Sequence, residues 1–163
     1  MRNLVSTLPV QLSVEELWTG LRNKAENPVG YIPAITACSV LEKTEAGFVR
    51  EITIADTVRQ QERVTFEPKR RVVFEQLTDP DLETIINQIS VDGQGVSLTL
   101  TIVLSPAGAE RAEREPEFLS KTEAYFAGTL VTIVDELHRT ATEQKTVTGK
   151  TGNKGDAAVG GGE

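Results

Sequence analysis

Cysteine and histidine occur once each in the 163 residues, as Cys38 and His138. Zinc, haem and iron–sulfur sites take most of their ligands from thiolate and imidazole, so the sequence predicts neither a metal site nor a cofactor. A lone cysteine makes no intramolecular disulfide, which points to a reducing, cytoplasmic setting. Basic side chains are scarce, 17 against 24 acidic, for a net charge of −7. That argues against nucleic acid as a partner, since such binders need a basic face to displace phosphate counterions. The one dense basic run, Lys69-Arg70-Arg71, is expected to flank a turn. Long hydrophobic runs are missing too. Asn3, Ser6, Thr7 and Pro9 interrupt the first ten residues, so no secretory leader is read there. The most apolar stretch, Phe126 to Val134, is about half the length of a membrane span. No G-x-S-x-G, phosphate loop or dinucleotide fingerprint appears, and Gly152-Asn153-Lys154-Gly155 follows no strand.

What remains is 39% hydrophobic and 25% charged, the make-up of one soluble domain. The best-marked element is a helix after Leu12. Ser13 followed by Glu16 forms a capping box, and Leu12 with Leu17 forms a hydrophobic staple. Val14, Leu17, Trp18, Leu21 and Ala25 repeat at helical spacing until Asn27-Pro28 stops the helix. Residues 29–33 have room for one short helical turn. From about residue 34 to 104 the apolar period changes from 3.6 to 2. Strands are predicted at 35–44, 47–55, 60–67, 71–77, 84–92 and 95–104, with a first one at 4–10 whose Pro9 marks an edge or a bend. The short gaps leave no room for crossover helices, so neighbours pair antiparallel. Residues 105–115 read as a charged loop. Pro116 then opens a long amphipathic helix, predicted to end near 142. The expected domain covers residues 1–146, and the glycine-rich 147–163 reads as a flexible tail.

This order of elements resembles the α+β helix-grip fold of the SRPBCC superfamily, which includes START lipid-transfer domains, the major birch-pollen allergen and aromatic polyketide cyclases. In that fold a curved antiparallel sheet, here of about seven strands, wraps a long C-terminal helix, with one or two short helices near the N-terminus. The runs Leu17-Trp18-Thr19-Gly20-Leu21, Lys24-Ala25-Glu26-Asn27-Pro28, Ile32-Pro33, Val49-Arg50-Glu51-Ile52, Glu62-Arg63-Val64 and Ala124-Tyr125-Phe126 resemble the AtaL-like branch, associated with fungal acetylaranotin, an epidithiodiketopiperazine. The resemblance spans residues 1–142. It implies an apolar pocket for a hydrophobic or heterocyclic small molecule, with the last helix as one wall.

Several residues are candidates for that pocket. Arg50 shares strand parity with Phe48, Ile52 and Ile54, and Glu62 with Val64 and Phe66. If the hairpin centres on Asp56, facing residues have numbers summing to 112, so Arg50 and Glu62 stand opposite each other, facing inward. They form either a structural ion pair or a site where Arg50 holds a carbonyl, enolate or carboxylate and Glu62 orients it or accepts a proton. These two are the best catalytic candidates. Asn87 lies among Ile85, Ile89 and Val91, as a bonded amide near a bulge or the strand end or as a ligand contact. Thr122, Tyr125 and Thr129 lie on or beside the inward stripe of the last helix. Trp18, Tyr31, Ile52, Val64, Phe66, Phe74, Phe126 and Ile133 complete the candidate lining. Cys38, mid-strand with no adjacent cation in sequence, reads as a small inert hydrophobe, and His138 as a solvated helix-end imidazole. Three functions fit: a small-molecule binder in secondary metabolism, a cyclase, dehydratase or isomerase using the same pocket, and an interaction or stress-response protein with no small ligand.

Overall fold

The computed structural model describes residues 2–155, with side chains through residue 143. β1 (Asn3–Val10) leads into α1 (Val14–Glu26), whose start follows the predicted chemistry. Ser13 Oγ accepts the Glu16 N–H at 3.1 Å, and Glu16 Oε1 accepts the Ser13 N–H at 2.9 Å. Beyond Pro28 there is only a turn, closed by the N–H groups of Tyr31 and Ile32 donating to the Pro28 carbonyl, so the chain has one N-terminal helix rather than two. Six strands follow: β2 (Ile35–Thr44), β3 (Gly47–Ile54), β4 (Val58–Glu67), β5 (Arg71–Gln76), β6 (Leu82–Asp92) and β7 (Gly95–Leu104). They pair antiparallel in sequence order, and β1 adds to the far side of β7, giving the order β1-β7-β6-β5-β4-β3-β2. Irregular register in β2 and at the start of β6 bends those strands. The seven-strand sheet and the long C-terminal helix form the expected helix-grip fold.

One expected loop is a helix. α2 (Pro106–Arg114) starts at Ser105, whose Oγ accepts the Gly108 N–H, with Pro106 at the first helical position. Its buried face is only Gly108 and Ala112, too little apolar pattern to show a helical period. Gly108 sits so tightly on the strand entry that a β-carbon there would overlap the Asp81 carbonyl oxygen. Arg111 joins α2 to the same corner through Asp81 Oδ2 at 2.8 Å and lies over the Phe118 ring.

α3 (Pro116–Gly155) continues past the predicted end near 142, in keeping with the lack of proline after Pro116. Residues 156–163 of the expected tail lie outside the described residues. α3 meets the sheet chiefly at β1 and β7, while α1 packs over β5 and β6. Leu130, Ile133 and Leu137 of α3, Leu17, Leu21 and Ala25 of α1, and Leu98, Leu100, Ile102 and Leu104 of β7 form the centre of the core. The two helices share the sheet unequally, and the inner faces of β3 and β4 are left with little helical cover. That is where the cavity opens.

Candidate functional site

The hairpin joining β3 and β4 turns through Ala55 and Asp56, both with positive φ, and sets Arg50 opposite Glu62 in the predicted register. Both side chains point into the concave face, where Arg50 is 2% and Glu62 3% exposed. Arg50 donates Nε to Glu62 Oε1 at 2.8 Å, and its Nη2 lies 2.6 Å from the same oxygen. Gln76, facing Glu62 from β5, donates Nε2 to Oε2 at 2.8 Å. Arg50 also has a structural duty. Its Nη1 donates to the Ala25 carbonyl at 2.7 Å, satisfying an otherwise unpaired acceptor in the last turn of α1. The guanidinium carbon lies 5.0 Å from the Phe74 ring centroid.

These groups form one end of a cavity of about 350 Å³. Ile35, Ile52, Ile54 and Ile85 give it apolar walls from the sheet, and Tyr125, Phe126, Thr129 and Ile133 close it from α3. Asn87 lines it from β6, 2% exposed, and its amide oxygen has no hydrogen-bond partner among the described residues. Tyr125 is 49% exposed and stands at the mouth. Thr129 Oγ1 donates to the Tyr125 carbonyl, a back-bond within the helix.

Of the fourteen candidates for the lining, the structure gathers nine around this cavity: Arg50, Ile52, Glu62, Phe74, Asn87, Tyr125, Phe126, Thr129 and Ile133. The other five lie elsewhere. Val64 is fully buried in the core. Trp18 and Phe66 meet edge to face, and Phe66 borders a separate groove near Arg22 and Gly47. Tyr31 lines a groove between α1 and α3. Thr122 faces a charged depression beside Asp81 and Arg111, and its hydroxyl donates to the Phe118 carbonyl. Strand parity separates one face from the other but does not say how far along the face the cavity extends.

One functional group was missed. Lys24, on α1, is 2% exposed and lines the same cavity. Its Nζ stands 4.6 Å from the Phe74 ring centroid, and no hydrogen bond or ion pair to it is found among the described residues. Burial, reinforced by the Arg50 charge and only partly offset by Glu62, pulls its amine down from 10.5 to about 7. A lysine one position before Ala25 looked like ordinary surface at the end of an amphipathic helix. The inward-facing Arg50 was the signal that the α1 end is polar on its buried side.

Two expectations about single residues are corrected. Cys38 is not remote from a cation: the Arg50 charge acts on its half-buried thiol, although burial dominates and pushes it up. His138 is not merely solvated, since its Nε2 accepts the Gln11 N–H at 3.0 Å and links α3 to the β1–α1 connection. The basic run flanks the β4–β5 turn, as expected, with Arg71 opening β5, and Lys69, Arg70 and Arg71 pair with Glu15 and Glu67. Among the described residues no cluster of three or more histidine, cysteine, aspartate or glutamate side chains is arranged to hold a metal ion. No described helix is long and apolar enough to cross a membrane.

Residues 4–143 match the family described as acetylaranotin biosynthesis cluster protein L, AtaL. The chain belongs to the AtaL family. Among solved structures, its fold is similar to the Zhui aromatase/cyclase from a Streptomyces species, at 17% identity and a TM-score of 0.59 over 88% of this chain and 94% of that one. It is also similar to the di-domain ARO/CYC StfQ of the steffimycin biosynthetic pathway, at 14% identity and a TM-score of 0.63, covering 88% of this chain and 51% of StfQ. A third match is Aha1 from Colwellia psychrerythraea, at 14% identity and a TM-score of 0.59, over 84% and 96% of the two chains. At these identities the likeness is one of fold, so the AtaL membership rests on the sequence match. No curated protein matches the chain.

Proposed function

We propose that this AtaL-family protein binds a small, largely apolar molecule bearing a carbonyl or acidic oxygen, as part of a secondary-metabolite pathway. The observation that carries this reading is the cavity's composition: apolar walls ending in a buried Arg50–Glu62–Gln76 network and an unpaired Asn87 oxygen. A volume of about 350 Å³ falls at the small end of the range for ligand sites, about 300–1,000 Å³. Arg50 keeps N–H groups beyond those given to Glu62 and Ala25, and these suit an oxygen acceptor on the ligand. The Asn87 oxygen suits a ligand N–H or O–H. An epidithiodiketopiperazine or its precursor offers both kinds of group on a compact heterocycle, in line with the family's acetylaranotin association.

The test uses anilinonaphthalenesulfonate, an apolar aromatic probe with one anionic group. Saturable binding at one site per chain is expected, with displacement by diketopiperazine intermediates. Arg50→Met with Glu62→Leu should keep the fold and weaken the probe by at least tenfold. Thr129→Trp, which plugs the mouth, should remove it. A double variant that binds as the wild type does would take the polar network out of the site. A second reading, catalysis of a cyclisation, dehydration or isomerisation in the same cavity, is favoured by Glu62 lying in contact with the cavity as a positioned carboxylate. Turnover of a bound intermediate by the purified protein decides between holding and converting.

A further inference from the structure

The cavity contains one nucleophile that ligand binding alone does not use. Lys24 reaches it from α1, and the carboxylate that would ordinarily neutralise a buried ammonium is already engaged. Glu62 Oε1 takes Arg50, and Oε2 takes Gln76. The other charged groups facing the cavity do not pair with Lys24: Arg50 from β3 repels it, and Asp79, after β5, accepts from Gln60. α3 presents Thr129 and Ile133 there, and β6 presents Asn87. A lysine in an apolar cavity, beside a second cation and without a counter-ion, is the arrangement that makes an amine nucleophilic at neutral pH.

We propose that Lys24 captures the ligand covalently, its Nζ adding to an aldehyde or ketone carbon to form an imine. The inference rests on the cavity being a ligand site and narrows the ligand class to aldehydes and ketones. The step balances without another reactant. The amine nitrogen bonds to the carbonyl carbon, the C–O π pair moves to oxygen, and the carbinolamine loses that oxygen as water. Two of the three protons of the starting ammonium leave with it, and the product is a protonated imine. The cavity supports each stage: Arg50 N–H groups stabilise charge developing on the carbonyl oxygen, and the apolar walls limit hydrolysis. Its positive nitrogen would then withdraw electrons from the adjacent carbon, the activation that ring closure or isomerisation needs.

The test is reductive trapping on the full chain. The protein is incubated with 2-naphthaldehyde and cyanoborohydride, and the secondary amine is located by peptide mass. The chain has seven lysines. One adduct at Lys24 is expected, formed at least tenfold faster than at any of the other six, with a pH profile whose midpoint lies near 7 rather than above 10. Lys24→Met should remove that adduct and leave background labelling of the others. Displacement of anilinonaphthalenesulfonate by the aldehyde, measured on the wild type without reductant, reports cavity occupancy separately. Displacement with no preference for Lys24 overturns the imine while leaving the ligand site standing. Absence of probe binding overturns the ligand site and the imine with it.

Discussion

At the scale of single residues, the polar end of the cavity is held by groups that depend on one another. Removing Arg50 alone leaves Glu62 buried with only Gln76 as partner, and also releases the Ala25 carbonyl. Arg50→Met should therefore cost about 3–5 kcal/mol, whereas adding Glu62→Leu should recover most of it. About 1–2 kcal/mol should persist in the double variant, because the α1 carbonyl stays unmet. Urea titration of the three proteins measures this. Lys24 behaves in the opposite way. Below pH 7 both folded and unfolded chains carry its proton, and the full burial penalty applies. Between pH 7 and 10.5 the unfolded chain holds more protons, so stability rises with pH as the penalty is lifted. Lys24→Met should stabilise the protein by roughly 3–5 kcal/mol at pH 6 and by much less at pH 9. Equal gains at both pH values would mean that the folded amine keeps its ordinary basicity.

At the scale of elements, legibility followed pattern strength. The α1 capping box and the period-2 strands have local sequence signals, and their ends fell within about two residues of the structure. The Arg50–Glu62 pairing was legible because a hairpin register follows from one turn centre. α2 was not, since its interior contact is a glycine against a carbonyl and an alanine, which carry no hydrophobic period. Lys24 was missed for a related reason. Sequence marks a helix's apolar stripe but not the place where a neighbouring strand brings charge beneath it. Trp18, Tyr31, Val64, Phe66 and Thr122 share faces with cavity residues and yet sit over other parts of the sheet or between helices. On α3, Phe126 is only partly buried and lines the cavity. Phe126→Ala should cost clearly less than the roughly 3–5 kcal/mol of a packed phenylalanine, because the space beside it is already open. A full core-sized loss in urea titration would show that the ring is packed rather than pocket-lining.

For the whole molecule, the helices divide the sheet between them. α3 fills the β1–β7 side with leucine and isoleucine, and α1 covers β5 and β6, so the fold is packed at one end and holds its cavity at the other. Residues 147–163 carry no periodic apolar face in their sequence. Removing them should shift the melting temperature by less than about 4 °C, the change that roughly 1 kcal/mol produces in a domain of this size. Anilinonaphthalenesulfonate affinity should be unchanged in the same protein. A larger shift on calorimetry would assign this segment a part in the packed structure.

The position of β1 has a consequence for how the protein is made. Asn3 pairs with Val103 and Val10 with Val96, so the first strand completes a sheet whose other edge of that pairing is the last strand synthesised. At about 5–20 residues per second, the ribosome takes on the order of 5–20 s to deliver β7 after β1. Throughout that interval Leu4 and Val10, both buried in the finished domain, have no strand to pair with. Such distant pairing slows folding, and until β7 is available the nascent β1 keeps an unpaired edge and apolar side chains open to aggregation.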